Sequence, residues 1–123
     1  MAKKILIVED EKILAGLLEK RLSQDGYNVF TTKDGVEGLE VMRKNSFDLI
    51  LLDIIMPKMG GFEMMEEKLK DERIKDIPII IISNSGQPVE IDRARKLGAK
   101  DWLIKTEFNL QEVLEKVIKQ IGK

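Results

Sequence analysis

The chain has 123 residues, 43% hydrophobic and 35% charged, with 21 basic against 22 acidic side chains, which suits one domain with a single core. That balance gives no general electrostatic reason to expect nucleic acid or an acidic membrane surface as partner. Neither Cys nor His is present, which excludes disulfides, thiolate and imidazole metal sites, Ser-His-Asp and Cys-His catalysis, and a phosphohistidine on this chain.

The N-terminal MAKKILIVEDE is a short apolar stretch cut off by acids, without a small-residue cleavage site. It does not read as a signal peptide, and the expected location is cytoplasmic. KILIV (4–8) reads as a first strand. Ile13, Leu14, Leu17, Leu18 and Leu22 follow at the three-and-four spacing of a helix face. YNVFTT (27–32) reads as a second strand, opened by the Asp25-Gly26 turn. Asp34 is placed to cap a helix that carries Val36, Leu39 and Met42 inward. FDLILLD (47–53) is a third strand, with a helix expected from about Phe62 to Lys70. PIIIIS (78–83) is a fourth strand, followed by a helix over Pro88 to Leu97 that Gly98 stops. DWLIK (101–105) is a short fifth strand. Leu110, Val113, Leu114, Val117, Ile118 and Ile121 make a final amphipathic helix.

Strands apolar at nearly every position are buried on both faces, which implies a parallel sheet with helices on each side. Five β-α units of this size predict an α/β fold, a flavodoxin-like doubly wound (βα)5 sandwich with strand order 2-1-3-4-5. No repeat, low-complexity tract or Pro/Ser-rich linker interrupts the sequence. Residues 1–123 are therefore expected to form one domain without an output domain.

In LILLDIIMPKMGG (49–61) an aliphatic run ends on an acid, Asp53. Ligands of open parallel sheets bind beyond the carboxyl ends of the strands, where strand order reverses. With order 2-1-3-4-5 that point joins Glu9-Asp10-Glu11 to Asp53, and the fourth and fifth strands bring Ser83 and Lys105 to the same edge. Each has an ordinary reading in isolation. Asp53 can be a turn residue, Glu9-Asp10-Glu11 a helix N-terminus, and Lys105 a surface lysine. Four strand ends delivering fitting groups to one edge favour chemistry. Converging carboxylates repel unless a cation lies between them. Oxygen ligands alone select Mg²⁺, or Mn²⁺ in its place. The Met56-Pro57…Gly60-Gly61 turn shapes a tight loop in which the Ile55 backbone carbonyl can serve as a neutral metal ligand. The set suits phosphoryl transfer to a carboxylate.

Together, ILIVEDE (5–11), LILLDIIMPKMGG (49–61), PIIIISNSG (78–86) and GAKDWLIK (98–105) resemble the response-regulator receiver domain of two-component signalling, over nearly the whole chain. The resemblance implies that Asp53 is the phosphoacceptor. Glu9 and Asp10 become the acid pair that holds Mg²⁺, completed by the Ile55 carbonyl. Ser83 is the hydroxyl that turns toward the phosphoryl group, Lys105 the lysine that pairs with it, and Trp102 an aromatic coupled to that turn. Ile55 and Ser85 occupy positions that tune hydrolysis of the aspartyl phosphate. The implied partners are a sensor histidine kinase or histidine phosphotransfer protein and a downstream protein target, with no direct nucleic acid and no membrane. Such a chain is a switch rather than a turnover enzyme, read out by the surface of helix four, strand five and helix five.

Two positions depart from the family pattern. Thr106 stands where the family commonly has a cis-proline after the lysine; a non-proline cis bond costs about 2.5–4 kcal/mol, so a trans bond is expected. Asn84 replaces a small residue and narrows access to the phosphoryl site. Other classes remain as rivals: a flavin-binding relative, which the acids after strand one disfavour; an aspartyl phosphatase, whose second acid is here Ile55; and a receiver that serves as a constitutive binding module.

Overall fold

Alternation along each strand decides the layering. In the computed structural model, which describes residues 2–123, the chain runs β1 (Lys4–Val8), α1 (Lys12–Gln24), β2 (Asn28–Thr32), α2 (Gly35–Lys44), β3 (Leu49–Asp53), α3 (Gly61–Leu69), β4 (Ile79–Ser83), α4 (Pro88–Lys96), β5 (Ala99–Ile104) and α5 (Leu110–Ile121). Met1, the first residue of the stretch read against a signal peptide, lies outside the described residues. All pairings are parallel, and the five-stranded order is β2-β1-β3-β4-β5, the expected doubly wound arrangement.

Successive strand residues point to opposite faces, and each face has its own core. Ile5, Ile7, Leu49, Leu51, Ile80 and Ile82 pack with Leu18 and Leu22 of α1 and Val113, Leu114 and Val117 of α5. Leu6, Val8, Ile50, Leu52, Ile79 and Ile81 pack with Leu39 and Met42 of α2, Met64 and Met65 of α3 and Ala94 of α4. Double-sided burial explains why the central strands β3 and β4 carry no polar residue until Asp53 and Ser83 end them, and why β1 carries none after Lys4. The edge strands β2 and β5, less fully covered, include Thr31, Lys100 and Asp101. Burying one apolar side chain contributes about 1.5–3 kcal/mol, so a slip of register would move a whole row of them at once.

Two predicted helix faces are corrected. Ile13 is 81% exposed and Leu17 is 49% exposed, because α1 meets the sheet along Ala15, Leu18 and Leu22, on the opposite side of a helix with about 3.6 residues per turn. Val36 sits at the rim of α2, where Gly35, Gly38, Leu39 and Met42 are buried. The predicted caps do form. Asp34 accepts from the Glu37 N–H at 2.9 Å, and Gly98 takes φ +107° just past α4, a conformation glycine adopts without strain.

The turn after β3 is held tightly against the sheet. The Gly61 N–H donates to the Ile54 carbonyl at 2.7 Å, and a Cβ on Gly61 would lie 2.5 Å from the Asp53 carbonyl oxygen. Only glycine allows α3 to start so close to the end of β3.

Lys68 of α3 is 2% exposed, and its ammonium donates to the Lys75 carbonyl at 2.9 Å. Burial pushes its amine down to about 8 from 10.5, opposed by the charge of Asp76 and reinforced by that of Lys100. Between those values the unfolded chain binds the extra proton, so stability rises with pH across the window. Urea midpoints of the wild type should therefore climb from about pH 8 to about pH 9.5, and Lys68→Met should flatten that climb. The window ends there because the buried Tyr27 phenol is itself raised above its ordinary 10.0 and acts with the opposite sign at higher pH.

Candidate functional site

Four strands end on one rim of the sheet, and each end carries a polar group. Chain leaving β1 is still tied to β2 by the Glu9 N–H on the Thr32 carbonyl at 2.9 Å. This holds the Glu9 side chain, 3% exposed, under the rim, while Asp10 is exposed. Asp53 is the last residue of β3, pairs in register with Ile82, and is buried; its Oδ1 accepts from the Ile54 N–H at 2.8 Å. Ser83 ends β4 and is buried. β5 stops one residue short of the sequence expectation, at Ile104, and Lys105 follows it with its N–H on the Ser83 carbonyl at 2.7 Å.

That last backbone bond aims Lys105 inward. Its side chain is 8% exposed, with Nζ 3.0 Å from Glu9 Oε1 and 3.2 Å from Asp53 Oδ2, and it also pairs with Glu11 Oε2. No cis peptide occurs among the described residues, so the Lys105-Thr106 bond is trans as expected. The Glu107 N–H on the Ile104 carbonyl at 2.9 Å turns the chain there, and the lysine reaches Asp53 without a proline.

Carboxylate oxygens of Glu9, Asp10 and Asp53 all lie within 4.8 Å of one another. Glu11, the third member of the acidic run, is not in that cluster. Burial pushes Glu9 up to about 7, against the Glu11 N–H and Lys105, which favour its charged form. Burial also raises Asp53, again against Lys105 and its hydrogen bonds. Lys105 would be depressed by burial, but Glu11, Glu9 and Asp53 hold it above the usual lysine range.

This donor set fits a hard divalent cation. Its ligand atoms are oxygens, two of the three carboxylates are buried, and their charged forms are under strain that a cation would relieve. Glu9 Oε1 supports the fit: it stands close to the Lys105 ammonium, yet that group donates to Oε2, at 3.3 Å, leaving Oε1 buried without a hydrogen-bond donor. A groove of about 650 Å³ runs past the acids between α1 and the loops after β2 and β3, lined by Asp10, Lys12, Thr32, Asp34 and Lys58 among others.

The remaining predicted residues lie around this cluster. The Ile55 side chain is 75% exposed, on the loop that follows Asp53. Asn84 is exposed, at the mouth of the β4–α4 loop. Ser85 has all its polar groups engaged: its N–H donates to Ser83 Oγ at 3.4 Å, its hydroxyl to Glu90 Oε1 at 3.0 Å, and its carbonyl accepts from the Trp102 indole at 2.9 Å. Glu90 and the link between Glu11 and Lys105 escaped sequence reasoning. The one available signal was Glu11 itself, an acid poorly suited to the helix N-cap position it holds.

Five parallel strands in this order, with acids gathered at the switch point and a lysine reaching across them, define the doubly wound class in which a cleft beyond the strand ends does the chemistry. The chain belongs to the response regulator receiver domain family, which matches residues 5–118. This is a signalling family whose members are phosphorylated on an aspartate by histidine kinases and bind Mg²⁺ in the active site. It is 39% identical over 103 residues to a probable transcriptional regulator, ycf27, of Guillardia theta, covering 84% of this chain and 39% of that protein. The chain thus spans half or less of the length of such curated relatives. Its backbone matches the chemotaxis protein CheY4 of Vibrio cholerae with a TM-score of 0.91 at 30% identity, over 98% of this chain and 99% of that one. It also matches the receiver domain of sensor histidine kinase PA1611 from Pseudomonas aeruginosa, which has a magnesium ion coordinated in its active site cleft, with a TM-score of 0.88 at 25% identity over all of both chains.

The raised carboxyls set a pH dependence with a defined sign. Folded Glu9 keeps its proton up to about 7, whereas the unfolded residue loses it near 4.5. Stability from this group is complete below the lower value and lost as pH rises through the upper one. Asp53 acts with the same sign. In chelator-containing buffer, unfolding free energy should fall between about pH 5 and pH 7.5, and Glu9→Gln or Asp53→Asn should each flatten that fall.

Proposed function

We propose that this chain is a phosphorylation switch in which Asp53 accepts a phosphoryl group from a histidine kinase or histidine phosphotransfer protein. The observation that carries the reading is the gathering of Glu9, Asp10 and Asp53 within 4.8 Å with the Lys105 ammonium 3.2 Å from Asp53. An Asp53 oxygen attacks phosphorus, and the bond from phosphorus to the donor's nitrogen or oxygen breaks as the donor leaves with the electron pair. Positioning and electrostatics supply most of the catalysis in such transfers. Glu9, Asp10, Asp53 and the Ile55 carbonyl would hold Mg²⁺, for which Mn²⁺ can substitute, and the ion supplies positive charge to the phosphoryl oxygens. Lys105 neutralises them from the other side and orients the group.

The product adds negative charge beside Ser83, whose hydroxyl turns to hydrogen-bond it. That turn withdraws the acceptor of the Ser85 N–H and loosens the β4–α4 loop, to which Trp102 is bonded. The change is read from the α4–β5–α5 face as a shift between two states. Asn84 narrows the approach, and Ile55 and Ser85 tune how long the acyl phosphate survives. Near-balanced charge gives these residues no general attraction to nucleic acid, so the proposed downstream target is a protein.

Incubation with acetyl phosphate and Mg²⁺, followed by intact mass, tests the reaction. One phosphoryl group should appear on the wild type and none on Asp53→Asn or in excess chelator; labelling that survives Asp53→Asn defeats the assignment. Beryllofluoride with Mg²⁺ should change Trp102 fluorescence in the wild type and leave it unchanged in Ser83→Ala. A signal that ignores Ser83 removes Trp102 from the readout.

A further inference from the structure

Glu11 occupies the N-cap position of α1, yet its side chain makes no capping hydrogen bond. Elsewhere the fold does use this device, with Asp34 capping α2 and Asn109 capping α5. The Glu11 carboxylate instead turns across the cleft to the Lys105 ammonium, joining the loop after β1 to the loop after β5. Glutamate is not among the residues whose side chains cap helices well, so the position that Glu11 holds does nothing for α1 that would call for an acid there.

The other two partners of Lys105 differ from Glu11 in kind. Glu9 and Asp53 are buried and belong to the three-carboxylate cluster, whereas Glu11 stands outside that cluster with its side chain 58% exposed. A cation held by Glu9, Asp10 and Asp53 would draw on the negative charge of the first and last. Glu11 would then be the one carboxylate of the three still committed to the lysine alone. The bond from the Lys105 N–H to the Ser83 carbonyl directs the residue inward, and the contacts of the ammonium decide where the end of its flexible side chain rests.

We infer that Glu11 is a positioning residue that holds the Lys105 ammonium over Asp53 for phosphoryl transfer, an inference that rests on the phosphoryl-transfer reading. Its exposure leaves the Glu11 carboxylate room to move with the lysine as the phosphoryl group arrives.

Two measurements test it. The first needs neither metal nor phosphoryl donor. Wild type, Glu11→Gln and Glu11→Ala are pulse-acylated with an amine-reactive ester in chelator, and the modified lysines are mapped by peptide mass. Lys105 should react several-fold faster in both variants, with Lys44 and Lys70 unchanged as internal references; equal Lys105 reactivity overturns the inference. The second is the initial rate of labelling by acetyl phosphate and Mg²⁺. Misplacing a catalytic group costs rate steeply, and a roughly 3- to 10-fold fall is expected for Glu11→Ala. The same substitution should have no further effect in a Lys105→Ala background. An equal fall in both backgrounds means that Glu11 acts through the general field or the fold, and a rise in rate means that it restrains Lys105; either result overturns the inference. Absence of any label on the wild type would instead defeat the phosphoryl-transfer reading, and the acylation map would then decide by itself whether Glu11 holds Lys105.

Discussion

A single ammonium group, on Lys105, stands against the carboxylates of Glu9, Glu11 and Asp53 at the edge of a parallel sheet. Two of those acids are nearly shut off from solvent, where a charge without compensation is strongly unfavourable. Burial pushes both upward, and the lysine offsets part of that penalty without removing it. What remains is a local excess of negative charge with one buried oxygen lacking a donor. The rim is therefore built to receive positive charge. Stability is lowered at neutral pH because these buried carboxyls must give up protons that burial favours keeping.

The sheet makes that excess possible. Strands whose other residues are buried on both faces can show polar side chains only at their ends, and parallel strands bring all their carboxyl ends to one rim. In-register pairing of Val8 with Leu52 and of Asp53 with Ile82 sets the separations between the acids. The close approach at Gly61 keeps the turn after Asp53 from drifting, and the bond from the Lys105 N–H to the Ser83 carbonyl does the same for the lysine. Rigidity of this kind is what catalysis by positioning needs.

Beyond the rim, the β4–α4 loop is organised around Ser85. Its three polar groups connect Ser83 at the site, Trp102 on β5 and Glu90 in the first turn of α4. Helix α4 contributes only Ala94 to the buried set, so little apolar contact opposes its adjustment. A tightly packed site and a loosely packed helix thus share one serine, an arrangement suited to passing a local change in charge to a surface.

Much of this was legible in the order of residues. Strand periodicity with apolar residues at both phases demanded a double-sided parallel sheet, and the short spacing of five β-α units left the 2-1-3-4-5 order as the natural solution. The polar residues ending those strands, Glu9, Asp53, Ser83 and Lys105, could then be read as neighbours. Periodicity misassigned Ile13, Leu17 and Val36, because spacing identifies a helix stripe but not how far the helix is rolled against its neighbours. Only tertiary structure turned the Glu11 carboxylate to Lys105 and joined Glu90 to Ser85. Those outcomes are choices among side-chain rotamers competing for one ammonium or one hydroxyl. Which partner wins depends on distances across the fold, which no local pattern of residues encodes.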